Sequence, residues 1–96
     1  MKEFKFEWDY NKNRTNRNKH GIWFEEAKQI FNDPQALLLF DSENSIKEDR
    51  YILLGKTAFG KFLIVVHCER EKEPIIRIIS ARRATRKEIE GYAKRI

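Results

Sequence analysis

A chain of 96 residues, 41% hydrophobic and 12% aromatic, has apolar mass for one small core and no room for a second domain. Its 20 Lys+Arg against 15 Asp+Glu leave +5 and a pI near 9.5, a mixed high charge that argues against disorder and for an anionic partner such as nucleic acid. The longest apolar runs, 36–40 and 62–66, fall far short of the roughly 20 residues that span a bilayer, and the lone Cys68 excludes an intrachain disulfide or a Cys-based zinc cluster and fits a reducing cytoplasm.

Residues 4–8 alternate apolar and polar with period two and predict a short strand rather than a signal segment. Asp9 is placed to cap a helix over 10–20, rich in Asn, Lys and Arg, which ends at Gly21 with Lys19 and His20 beside its C-terminal dipole. Phe24, Ala27, Ile30 and Phe31 form the apolar stripe of a second helix, stopped by Asn32-Asp33-Pro34. Residues 36–40 read as a buried-type strand, 41–49 as a polar, acidic connection, and 50–56 as a strand alternating Ile52 and Leu54 against Tyr51 and Leu53. Phe59-Gly60 marks a turn before a strand over 61–70, and 71–74 form the next turn before the last strand, 75–82. Such short connections make these three strands antiparallel. Thr85 and Glu88 form a capping box ahead of a helix with Ile89, Tyr92, Ala93 and Ile96 on its apolar face. The order β-α-α-β-β-β-β-α predicts a single α+β domain over 1–96, with helices on one mostly antiparallel sheet.

The charge is polarised. Residues 1–20 carry six basic and three acidic side chains, 21–49 two and seven, and 50–96 twelve and five. Within 77–87 stand five positive residues and no negative one, where the last strand hands over to the last helix. A solvated face is the plain alternative there to an anion site.

Motifs exclude much chemistry. His20 and His67 are the only histidines, no metal-ligand spacing occurs, and the four glycines stand singly, so neither a metal site nor a phosphate loop is expected, and no cofactor. Cys68 falls on the strand side of Phe62, Ile64 and Val66, as a small core residue would. No nucleophile elbow is present. What remains is chemistry built from Arg, Lys and His. RNA supplies its own nucleophile, the ribose 2′-hydroxyl. The protein need only hold the in-line geometry, offset charge on the phosphoryl oxygens and protonate the leaving 5′-oxygen. Guanidinium forks suit the second task. Ser80, Arg82 and Arg83 gather cations and donors at a strand end, and Arg50, Lys56 and Arg77 lie on neighbouring strands.

Each of these residues has a plainer reading. Arg82 and Arg83 stand open between RNA contact and ordinary surface or partner-binding charge. By simple alternation Arg82 shares a face with Ile76, Ile78 and Ser80, whereas Arg77 sits with Ile75, Ile79 and Ala81, so only one face would reach the groove. By position alone His20 is a dipole cap and His67 a satisfied sheet histidine beside Leu63 and Val65. Trp8 and Trp23 fit core packing, with base stacking the alternative.

The ordered segments Phe6-Glu7-Trp8-Asp9, Asn18-Lys19-His20-Gly21, Phe24-Glu25-Glu26-Ala27, Phe31-Asn32-Asp33-Pro34, Asp49-Arg50-Tyr51-Ile52-Leu53-Leu54-Gly55 and Arg77-Ile78-Ile79-Ser80-Ala81-Arg82-Arg83-Ala84-Thr85 resemble the BrnT family of ribonuclease toxins from type II toxin–antitoxin systems. The resemblance runs from about Phe4 to Tyr92. It implies a RelE-like fold and metal-independent endonucleolytic RNA cleavage that inhibits translation and growth. It also implies a cytoplasmic toxin neutralised by a BrnA-like antitoxin, whose complex with the toxin meets operator DNA through the antitoxin. Its matched positions offer His20, Arg50, Arg82 and Arg83 as catalytic. Lys56 and Arg77 join them on charge, with Lys19 and Ser80 as further substrate-binding candidates. One departure stands out: Trp23 occupies the place of a small polar cap before the second helix.

Three functions share this surface: a toxin endoribonuclease, a non-catalytic RNA-binding module whose affinity falls steeply with salt, and an interaction module that receives an acidic antitoxin segment.

Overall fold

The structure, a computed structural model, describes residues 4–45, 48–69 and 73–94. Strand β1 (Lys5–Glu7) leads into helix α1 (Tyr10–His20). The Asp9 carboxylate caps α1 by accepting from the Lys12 N–H at 3.0 Å, and Gly21 closes it in the left-handed conformation, φ 74°. Helix α2 (Phe24–Ala27) is one turn long and tightens into a 3-10 segment (Lys28–Asn32), so the second apolar stripe is carried by two helix types. Four strands and a helix follow: β2 (Leu37–Phe40), β3 (Arg50–Lys56), β4 (Phe62–Glu69), β5 (Ile75–Arg83) and α3 (Arg86–Lys94). Both halves of the expected capping box form, Glu88 N–H to Thr85 Oγ1 at 3.2 Å and Thr85 N–H to Glu88 Oε1 at 2.8 Å. Among the described residues no helix is long and apolar enough to cross a membrane.

The five strands form one sheet in the order β1-β5-β4-β3-β2. The neighbours from β2 to β5 pair antiparallel, and only β1 runs parallel to β5, which makes an α+β fold with the expected element order. One face carries the main core, where Ile22, Phe24, Ala27 and Ile30 meet Leu53, Leu63, Val65, Ile76, Ile78 and Ala81. Gly55 lets this layer close: a Cβ there would stand 2.9 Å from Ile30 Cβ and 3.2 Å from its carbonyl oxygen. On the opposite face α3 covers one end of the sheet, with Tyr92 packed among Leu54, Ile64 and Phe62.

Several sequence expectations change. The run at 36–40 is not buried: Leu38, Leu39 and Phe40 are about half exposed, because β2 is an edge strand paired only with β3. Trp23 is also 45% exposed, and Ala93 faces solvent, so α3 packs chiefly through Tyr92. Ile96, and Glu71 and Lys72 of the β4–β5 turn, lie outside the described residues.

His67 is fully buried, stacked on Tyr51 at 5.9 Å and edge-on to Phe31 at 4.9 Å. Its polar contacts are weak: Nδ1 makes no well-formed hydrogen bond among the described residues, and Nε2 is 3.7 Å from Glu69 Oε2. Burial pushes its pKa down to about 4, against a smaller upward pull from hydrogen bonding to the Val65 backbone. In the unfolded chain the ring titrates near its ordinary value of about 6.5. Between these values unfolding takes up a proton, so stability falls as pH drops through that window and is insensitive to His67 above it. Urea unfolding at pH 7 and pH 5 is expected to show a loss of roughly 2 kcal/mol, and His67→Phe should abolish most of that difference. An unchanged slope in the variant would place the titration elsewhere.

Candidate active site

Strict alternation along β5 separates Arg77 from Arg82, but the strand is not regular. Val66 pairs with Ser80 and the next residue, His67, pairs with Ile78, so Ile79 is an extra residue on the β5 side. The bulge inverts the alternation beyond it. Residues opposite one another on antiparallel strands share a face, which sets Arg77 beside Cys68, Ser80 beside Val66 and Arg82 beside Ile64. The same β4 residues pair on their other side with Arg50, Ile52 and Leu54. Arg50, Arg77, Ser80 and Arg82 therefore stand on one face, the one that α3 covers only at its end. The expectation that only one of Arg77 and Arg82 reaches the groove is corrected by this single inserted residue.

Strand geometry sets the scale. Arg50 and Arg77 flank Cys68 from the two neighbouring strands, so their Cα atoms lie about 10 Å apart. Arg82 is four β4 positions further on, about 13 Å along the strands. Arg50 Nε is buried with no hydrogen-bond partner among the described residues. Cys68, between the two arginines, is pushed up to about 11 by burial, reinforced by Glu48, so its thiol stays neutral.

Arg82 is already engaged. Its Nη1 and Nη2 donate to the two carboxylate oxygens of Glu88, each at 2.9 Å, and Nη1 also meets the Arg83 carbonyl at 3.2 Å. This fork holds Glu88 down to about 2 and raises Arg82 further above its usual value, so both stay ionised around neutral pH. Arg82 thus reaches the groove as a fixed guanidinium rather than a free one.

His20 and Lys19 meet this face from the side. Beyond the end of β1, the open edge of β5 is taken by α1, whose Asn16 amide bonds to both Ala81 N–H (3.0 Å) and Ala81 C=O (2.8 Å). Asn16 also donates to the Ile22 carbonyl, and Asn13 Oδ1 accepts from the Phe24 N–H at 2.7 Å. That last bond supplies from α1 the cap that Trp23 cannot give α2. The result is a cleft of about 330 Å³ in which Lys19 and His20 face Ser80 and Ile79 of the bulge.

Two predicted residues fall outside. Lys56 pairs with Phe62, six positions from Cys68 and so about 20 Å along the sheet. There its ammonium lies over the Phe62 ring, and its N–H donates to Asp33, which also accepts from the Tyr92 hydroxyl. Burial alone would raise Asp33, but the N–H groups of Gln35 and Lys56 and the Tyr92 hydroxyl hold it below the usual carboxylate range. Arg83 pairs with Leu63 and so belongs to the main-core face, at its exposed rim. Sequence reasoning missed Asn11, Lys12, Thr15 and Asn16 on the cleft wall, since an Asn-rich helix with no apolar stripe reads as solvated on all sides. Among the described residues no group of three or more His, Cys, Asp and Glu side chains is placed to hold a metal ion.

Comparison with known proteins gives the family and the fold. The family model described as the ribonuclease toxin, BrnT, of type II toxin–antitoxin systems matches residues 8–88. The crystal structure of the Brucella abortus ribonuclease toxin BrnT superposes with a TM-score of 0.66 at 24% sequence identity, covering 88% of this chain and 100% of that one, a likeness of fold. No curated protein matches the chain. The matched span includes α1, the bulged β5 and the start of α3, and the chain belongs to the BrnT family of ribonuclease toxins of type II toxin–antitoxin systems.

Proposed function

We propose that this chain is an endoribonuclease toxin that cleaves RNA without a metal, through attack of the ribose 2′-hydroxyl on the adjacent phosphate. The observation that carries the reading is the bulge at Ile79, which puts Arg77 and Arg82 on the same face as Arg50 and Ser80, with Lys19 and His20 in the cleft beside Ser80. Arg50 and Arg77 offset charge on the phosphoryl oxygens through their guanidinium groups. Arg82, held by Glu88, supplies a third cation whose orientation costs nothing to fix when substrate arrives. His20, exposed at the end of α1, lines the cleft and serves in proton transfer to the leaving 5′-oxygen. Lys56 and Arg83 lie too far from this group, or on the wrong face, to contact the same phosphate.

Cleavage of cellular RNA in the cytoplasm inhibits translation and growth. A BrnA-like antitoxin neutralises the toxin and carries the complex to operator DNA. Purified protein incubated with RNA in excess chelator is expected to produce fragments ending in a 2′,3′-cyclic phosphate. A dependence on added divalent cation, or ends carrying 3′-hydroxyls, would refute the proposed chemistry. Salt-sensitive binding with no product would favour the non-catalytic module.

A further inference from the structure

Four asparagines lie along α1, and they divide by what they do. Asn13 and Asn16 are buried and spend their amides on the backbone at Phe24, Ile22 and Ala81 and on the Glu25 carboxylate. Asn11 and Asn18 are exposed. Asn11 lines the cleft beside β5 together with Lys12, Thr15 and Lys19, spaced so that all four lie on one side of the helix. The side chains of Asn11 and Thr15 make no hydrogen bond within the described residues. The whole of α1 carries Lys12, Arg14, Arg17 and Lys19 and not one acidic residue. Across the cleft stand Ile79, the inserted residue of the bulge, and Ser80, which also belongs to the arginine face. One wall therefore offers cations and unspent amide and hydroxyl groups, the other an apolar side chain, and Ser80 joins the cleft to the arginine face.

We propose that this cleft is a subsite for one nucleotide flanking the scissile phosphate, in which Lys12 and Lys19 hold its backbone phosphate, Ile79 packs against the base, and Asn11 and Thr15 read the base edge. The proposal rests on the ribonuclease reading and deepens it by naming specificity-determining residues. At about 330 Å³ the cleft is at the small end of ligand sites, sized for one nucleotide and not for a duplex. Single-stranded RNA suits it, because an unstacked base presents its hydrogen-bonding edges and its flat face at once. Amide and hydroxyl groups distinguish bases by donor and acceptor pattern, whereas lysines give affinity without sequence preference. The two pairs should therefore fail differently.

The test uses a mixed-sequence RNA for cleavage and its 2′-deoxy counterpart, which lacks the attacking hydroxyl, for binding. The Lys12→Ala, Lys19→Ala double variant is expected to raise KM about tenfold with kcat within about twofold, and to weaken binding of the deoxy strand by a similar factor with a shallower salt dependence. Asn11→Ala with Thr15→Val is expected to reduce nucleotide preference at one position beside the cut by about fivefold or more. Circular dichroism checks that α1 remains folded, since none of the four residues is buried. Cleavage and binding that are the same with and without these substitutions would overturn the subsite and leave the ribonuclease reading intact. Binding weakened by the lysine changes, in a chain that never cuts, would support the subsite and overturn catalysis. A chain that neither binds nor cuts RNA overturns both.

Discussion

Arg82→Ala is expected to lower the rate of RNA cleavage about 100-fold or more, the usual loss when one oriented donor to a developing oxyanion is removed. The fold should survive, because the pair that Arg82 makes with Glu88 is part-exposed on both sides, and such pairs contribute at most about 1 kcal/mol. A merely structural role for Arg82 predicts something else: Arg82→Ala and Glu88→Gln would then impair activity alike by loosening α3. The geometry separates the two variants. Glu88→Gln keeps Arg82 charged and retains an acceptor at the same place, but removes the anion that partly offsets the guanidinium. Activity should therefore fall only modestly, with KM unchanged or lower, while Arg82→Ala loses kcat. Arg82→Lys should not rescue, since an ammonium cannot span both Glu88 oxygens and still present a planar donor to phosphate. Single-turnover kinetics with thermal unfolding of each variant would decide. Equal losses in the Arg82→Ala and Glu88→Gln proteins would reduce Arg82 to a strut for α3.

The bulge explains why the sequence yields the members of this site but not their grouping. Ile75 to Arg83 reads as an ordinary strand, and nothing in Ile-Ile-Arg-Ile-Ile-Ser-Ala-Arg-Arg marks Ile79 as the extra residue. A bulge is fixed by what lies on both sides of the strand, here Val66 and His67 of β4 and the α1 amide at Ala81. The helix termini were legible because caps are local: Asp9, Gly21, Thr85 and Glu88 each act within four residues. The exposed edge at β2 was not. An uninterrupted apolar run signals burial on both faces, while edge position depends on strand order, which hydrophobic periodicity does not encode. Lys56 stands apart from the arginine pair for a related reason: a neighbouring strand brings residues together only in register, and Lys56 sits six β4 positions away.

The least legible residue is the one on which stability should depend most. Asn16→Leu is expected to destabilise the chain by about 3 kcal/mol or more, because it leaves the Ala81 N–H, the Ala81 carbonyl and the Ile22 carbonyl without their partner in a buried place. The size of the change does not rescue it. Leucine keeps the branched shape of asparagine but is bulkier, so crowding in a buried place adds to the loss of hydrogen bonds. Asn16→Asp is a sharper probe. It preserves acceptors for the Ala81 N–H, but turns the groups facing the Ala81 and Ile22 carbonyls into oxygens and buries a charge against them. Stability of Asn16→Asp should therefore rise as pH falls and the carboxyl is protonated, opposite to the trend that His67 imposes on the parent chain. Denaturant unfolding of both variants between pH 7 and pH 4 would read this directly. A loss well below 1 kcal/mol for Asn16→Leu would mean that water or a shifted α1 satisfies the edge of β5. Amide exchange should report the same event at one place, with the Ala81 N–H losing protection before its neighbours. Because Asn16 seats the helix that carries Lys19 and His20 against Ser80, the fixing of the sheet edge and the shaping of the cleft are one interaction.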